Sequence, residues 1–165
     1  MTSPVPAYVG LGANLGDAAA MVRSSAVALA ELPRTSLLRV SRLYRTAAWG
    51  NEDQPEFVNA VAELRTALSP SELLKELLEL ERRSGRRREA AVHWGPRTLD
   101  LDLLLYAEQS IDLPELRVPH PYLHQRAFAL VPLAEIAPEA VIPGIGTVGA
   151  ILRTLNTDTV IPLGG

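Results

Sequence analysis

Leucine and aspartate alternate through Leu99-Asp100-Leu101-Asp102-Leu103, and among regular structures only a β-strand matches that period of two. The aspartates then project from one face while the leucines fill the other. Side chains two apart on a strand lie roughly 7 Å from each other at the backbone, so both carboxylates can converge on a hard cation. An isolated Asp-x-Asp is most simply the wet edge of a half-buried sheet. Here the strand runs on as Leu103-Leu104-Leu105-Tyr106, which predicts a central strand. Two neighbouring carboxylates there repel unless a cation or arginines compensate them. Just upstream, His93-Trp94-Gly95-Pro96-Arg97 brings an arginine and a flat ring to the same place. These residue types suit a metal, a polyphosphate and a heterocycle.

Counting that strand, the pattern predicts six elements up to residue 106. A short apolar strand over 7–11 leads through glycines to a turn, with Asp17 as N-cap of a helix over 18–31. Gly10, Gly12 and Gly16 miss the dinucleotide-binding spacing and are read as serving a tight strand-to-helix turn. Strands over 37–44 and 56–64 follow, separated by a loop carrying Trp49, Asn51 and Asp53. In the latter strand Val58, Ala60, Ala62 and Leu64 point one way, and Phe57 and Asn59 the other. Ser69-Pro70-Ser71-Glu72 combines an N-cap serine, a first-turn proline and a capping-box glutamate, starting a helix that stops near Gly85. A polar loop over 86–97 and the strand over 98–106 complete a βαββαβ order. The fold class is therefore α+β, ferredoxin-like, with an antiparallel sheet and an irregular C-terminal extension. In that extension a helix is expected over 125–131, ending at Pro132, and another over 148–155, before a loosely held tail. The whole chain, 1–165, reads as a single domain.

Composition excludes several classes. Without cysteine there is neither a disulfide scaffold nor thiol chemistry, in keeping with a cytoplasmic protein. No signal peptide or membrane-spanning run is expected. A net charge of −3 gives no reason to expect nucleic acid. The charge is uneven, however: Arg82, Arg83, Arg86, Arg87 and Arg88 crowd together, with Arg97 following. Such a run beside a carboxylate pair suits a polyphosphate.

The chain resembles the 6-hydroxymethyl-7,8-dihydropterin pyrophosphokinase family. The resemblance covers Val9-Gly10-Leu11-Gly12-Ala13-Asn14-Leu15-Gly16, Tyr44-Arg45-Thr46, Asp53-Gln54-Pro55 with Phe57 and Asn59, and Gly85-Arg86 with Arg88. It continues through Trp94-Gly95-Pro96-Arg97-Thr98-Leu99-Asp100-Leu101-Asp102, Val118-Pro119-His120, Arg126 and Glu135-Ile136-Ala137-Pro138. It implies pyrophosphoryl transfer from ATP to a pterin alcohol in folate biosynthesis. Asp100 and Asp102 would bind two Mg²⁺ ions, Phe57 and Phe128 would sandwich the pterin, and Asn59, with groups near Thr46 and Ala47, would bond its polar edge. Trp49 and Trp94 would lie beside the pterin. Arg86 and Arg97 would act catalytically, Arg86 on a closing loop. Arg88, Arg97, His120 and Arg126 would contact ATP. No side chain stands out as a strong general base. The segment between Gly85 and Trp94 is one residue longer than in the familiar form, and Ala47, Trp49 and Phe57 replace a proline, an aliphatic and a tyrosine. A stand-alone monomer is expected, with small molecules as partners and neither nucleic acid nor membrane. Two other readings use the same aspartates less completely: a metal-dependent transferase acting on another alcohol, and a non-catalytic ferredoxin-like binding module.

Overall fold

Strand β1 (Val5–Ala13) buries Ala7, Val9, Leu11 and Ala13 on one face, and this apolar row anchors the architecture. The computed structural model describes residues 3–14, 16–46, 56–84 and 99–163. Helix α1 (Ala18–Leu29) begins at Asp17, whose carboxylate accepts the Ala20 N–H at 3.1 Å, as its sequence predicts. Strands β2 (Thr35–Val40), β3 (Tyr44–Thr46) and β4 (Phe57–Thr66) follow, then helix α2 (Pro70–Arg83) and strand β5 (Asp100–Tyr106). The expected capping box is present: Ser69 Oγ accepts the Glu72 N–H, and Glu72 accepts the Ser69 N–H.

Strands β4 and β5 flank β1, and β2 and β3 lie along successive stretches of β4, every pair antiparallel. This is the ferredoxin-like order. Strands β2 and β3 share one position because the single strand expected over 37–44 is broken at Ser41-Arg42-Leu43. There Ser41 donates its N–H to the Val61 carbonyl at 2.9 Å while its hydroxyl accepts the Val61 N–H at 3.0 Å. The side chain thus supplies a partner that the interrupted ladder lacks.

Helices α1 and α2 cover one face, closing over Val22, Leu29, Leu73, Leu77 and Leu80. Each such side chain contributes on the order of 1.5–3 kcal/mol through burial. The other face is covered only in part. Beyond a β6 (Ile111–Leu113) and β7 (Leu116–Val118) hairpin and a 3-10 turn at Leu123–Gln125, helix α3 (Ala127–Ile136) lays Leu130, Leu133 and Ile136 against Tyr8, Val61, Leu104 and Leu105. Pro132 lies inside α3 rather than ending it. The buried leucines on either side outweigh the loss of one helical hydrogen bond.

Two more expectations are corrected. Strand β5 is not central: it stands at the edge of the main sheet. Its run of leucines is buried because α2 and α3 cover opposite faces, and its outer edge meets the chain after β7, where the His120 N–H donates to the Leu104 carbonyl at 3.1 Å. The tail is also more ordered than expected. After β8 (Val141–Ile142), β9 (Gly146–Thr147) and α4 (Val148–Leu152), strand β10 (Ile161–Pro162) pairs with β3, and Leu163 N–H donates to Leu43 O at 2.8 Å. An open β3 edge provides the backbone partners that hold it. No helix among the described residues is long and apolar enough to cross a membrane.

Candidate active site

Cross-strand partners in an antiparallel sheet share a face, so register alone places the site residues. Tyr44 lies opposite Asn59, Asn59 opposite Gly12, and Gly12 opposite Asp100. In the adjoining row Val61, Gly10 and Asp102 stand side by side, and Thr46 pairs with Phe57. Phe57, Asn59, Asp100 and Asp102 therefore occupy the face opposite α1 and α2, as the alternation predicts. Neighbouring strands lie about 4.8 Å apart, which puts Asn59 and Asp100 roughly 9–10 Å from each other at the backbone across β1.

The strand between them has no side chains on this face at Gly10 and Gly12. Both glycines lie inside β1, not in the turn expected of them. The result is a trough with an aromatic and an amide on one flank and carboxylates on the other. A Cβ at Gly12 would stand 2.9 Å from Asn59 Oδ1, so any side chain there would displace the amide. Asn59 Nδ2 in turn donates to Thr46 Oγ1 across 3.4 Å, a long bond that links the amide to β3. Alternating glycines on a strand signal close approach by something else, and that is what the sequence reading missed.

On the carboxylate flank, His120 stands near Asp100, with Arg126 close to His120. His120 Nδ1 is buried and has no hydrogen-bond partner among the described residues. Burial pushes this imidazole below its ordinary range, Arg126 adds to the effect, and the Asp100 charge opposes it. The same chain segment thus brings His120 within electrostatic reach of Asp100, and Arg126 within reach of His120. Arg126 is bracketed by two rings, its guanidinium carbon 5.6 Å from the Tyr122 centroid and 5.8 Å from that of Phe128. Phe128, which an apolar helix could have kept in the core, is 39% exposed near the start of α3. It is available to a ligand.

Helix α3 is tied to the opposite flank by Glu135, which the resemblance includes without a role. Tyr44 donates its hydroxyl to Glu135 Oε1 at 2.5 Å, the Arg42 N–H donates to Oε2 at 2.9 Å, and the Arg42 guanidinium lies 3.5 Å away. Desolvation, followed by this carboxylate, raises the Tyr44 pKa. Ala47, Trp49, Arg86, Arg88, Trp94 and Arg97 lie outside the described residues.

Among the described residues no three metal-ligating side chains cluster together. Two half-buried carboxylates on one strand nevertheless fit Mg²⁺, which keeps waters and takes substrate phosphates as ligands in preference to an all-protein cage. The residues present fit the ion.

Residues 8–138 match the family model described as 7,8-dihydro-6-hydroxymethylpterin-pyrophosphokinase (HPPK). The chain belongs to this family. It is 48% identical over 136 residues to the 2-amino-4-hydroxy-6-hydroxymethyldihydropteridine pyrophosphokinase of Pseudomonas aeruginosa, covering 82% of this chain and 83% of that one. With the Haemophilus influenzae protein of the same name it shares 38% identity over 159 residues, 96% of this chain and 98% of the relative. Among solved structures, Plasmodium falciparum HPPK-DHPS with pteroate superposes with a TM-score of 0.70 at 15% identity, over 93% of this chain. The match spans 43% of that longer chain, and at this identity the likeness supports the fold alone.

Proposed function

We propose that the trough is where the family's reaction takes place: transfer of pyrophosphate from ATP to 6-hydroxymethyl-7,8-dihydropterin, giving AMP and the pterin diphosphate in folate biosynthesis. The observation that supports this assignment is the row Asn59, Gly12, Asp100, in which an amide and a carboxylate stand on either side of a strand bare of side chains. Phe57 and Phe128 enclose the pterin ring, and Asn59, with Thr46, bonds its polar edge. Asp100 and Asp102 hold Mg²⁺, with a pair of ions as the fuller form of the proposal. When bound, the metal neutralises phosphate charge and aligns the reacting oxygens.

The chain's own residues supply alignment and charge. The pterin hydroxymethyl oxygen forms a bond to the β-phosphorus of ATP as the bond from that phosphorus to the α,β-bridging oxygen breaks. AMP leaves with that oxygen, and the alcohol proton goes to solvent. Transfer of this kind asks the protein for positioning and electrostatic stabilisation. His120, near Asp100, and Arg126, close to His120, serve the nucleotide. Arg86, Arg88 and Arg97 are assigned to the phosphates, and Ala47, Trp49 and Trp94 to the pterin, on sequence grounds. The same reading makes the chain a cytoplasmic monomer.

Product identity tests the assignment. The protein is incubated with Mg-ATP and the pterin alcohol, and nucleotides are resolved by chromatography. One AMP per pterin consumed is expected. ADP would mean single-phosphoryl transfer, and no pterin-dependent product would remove the pterin from the assignment.

A further inference from the structure

Glu81 sits in the last turn of α2, on the apolar stripe that includes Leu73, Leu77 and Leu80, and is only 4% exposed. A carboxylate is disfavoured there twice. Burial penalises its charge, and the C-terminal end of a helix carries partial negative charge of its own. Its position therefore needs a compensating interaction. Glu81 Oε2 accepts the backbone N–H of Leu101 at 2.7 Å, the peptide group that joins Asp100 to Leu101.

That peptide is critical to the geometry of the carboxylate flank. In most antiparallel pairs, side chains on the neighbouring strand buttress each other. The cross-strand neighbours of Asp100 and Asp102 are Gly12 and Gly10, which offer no side chain to lean on. Strand β5 is also an edge, so no further strand of the main sheet fixes its outer side. The leucines on the other face, Leu99 and Leu101, are buried and hold the strand against the core. The β1 ladder holds the peptide between Asp100 and Leu101 from the inner side, and Glu81 holds its N–H from the open edge.

We propose that Glu81 is a positioning residue for the Asp100 and Asp102 pair, fixing the backbone from which both carboxylates reach the metal. The inference rests on the metal-binding reading of that pair. Residues that support metal ligands without touching the ion commonly affect metal affinity by roughly 10–100-fold. Glu81→Asp keeps the charge but withdraws the acceptor by one methylene, whereas Glu81→Gln keeps an acceptor oxygen at full length.

The test measures by calorimetry the Mg²⁺ dependence of binding of a non-hydrolysable ATP analogue, beside turnover against Mg²⁺ concentration and a thermal melt, for wild type, both variants and Glu79→Gln on the exposed side of α2. Glu81→Asp is expected to raise the half-saturating Mg²⁺ concentration by about tenfold, with the KM for pterin changed less than about twofold. Glu81→Gln should restore most of the metal dependence, and Glu79→Gln should leave it unchanged. If Glu81 were only a tie between helix and strand, Glu81→Asp would lower the melting temperature and leave the Mg²⁺ dependence of the folded molecules unaltered. That result overturns the proposal, as does a shift in Glu81→Gln as large as that in Glu81→Asp. Wild-type turnover independent of Mg²⁺ would instead defeat the metal reading itself.

Discussion

The two faces of the sheet are built from the same strands yet obey different rules. Under α1 and α2, every alternate residue of β1 from Ala7 to Ala13 is apolar and buried, and the leucines of α2 close over them. On the opposite face the same strands change character along their length. Tyr8, Val61, Leu104 and Leu105 pack beneath α3, while Gly10, Gly12, Asn59, Asp100 and Asp102 form the trough. The first face specifies the fold. The second leaves its packing incomplete at one end, where the proposed site opens.

Substitutions on each face should separate activity from stability. The largest effect is expected from Asp100→Ala or Asp102→Ala, which should reduce turnover by about 10³-fold or more while the melting temperature stays near that of wild type. Steady-state AMP formation beside a thermal melt checks both. Leu77→Ala, on the closed face, should do the reverse. It should cost about 2–5 kcal/mol in urea unfolding, with kcat per folded molecule unchanged. Loss of activity in the folded Leu77→Ala protein would show that the faces are not independent.

Gly12→Ala sits at the junction of the two flanks. The added methyl group displaces Asn59, so we expect a rise in the pterin KM of roughly 10–100-fold, about 1.4–2.8 kcal/mol, with little change in stability. A value near wild type would show that Asn59 is not held over Gly12 in the working enzyme.

The smallest effect concerns His120. Its folded pKa is depressed below the ordinary value of 6.5, chiefly by burial. The neutral ring is therefore favoured by folding. The resulting contribution to stability is complete above pH 6.5 and is lost as pH falls from there through the folded pKa. His120→Gln should flatten the stability profile in that window. Chemical unfolding at a series of pH values measures it, and an unchanged slope would remove His120 from the acid sensitivity.

The closed face was legible because its signals are local and periodic. The capping box at Ser69, the N-cap at Asp17 and the alternation in β4 and β5 each follow from a few neighbouring residues. The trough was only half legible. Asp100, Asp102, Phe57 and Asn59 share the expected face because their parity is fixed by their strands. The glycines of β1 were misread as a turn because their use depends on two other strands standing beside them. The run Leu103-Leu104-Leu105-Tyr106 predicts a central strand, yet α2 and α3 bury those residues from either face of an edge. Glu81 carries no sequence signal that separates it from solvated helix charges, and Glu135 enters only as part of a motif without a role. Their partners, the Leu101 amide and the Tyr44 hydroxyl, lie far away along the chain.

The claim that the carboxylate flank is the metal and phosphate flank is tested most directly by calorimetric titration of a non-hydrolysable ATP analogue, with and without Mg²⁺. Wild type would be compared with Asp100→Asn and Asp102→Asn. The expected result is that Mg²⁺ tightens binding to wild type by about tenfold or more, some 1.4 kcal/mol, and gives neither variant a gain above about twofold. Variants that kept the full Mg²⁺ gain would contradict the account, because the ion would then be held without the pair that this strand presents.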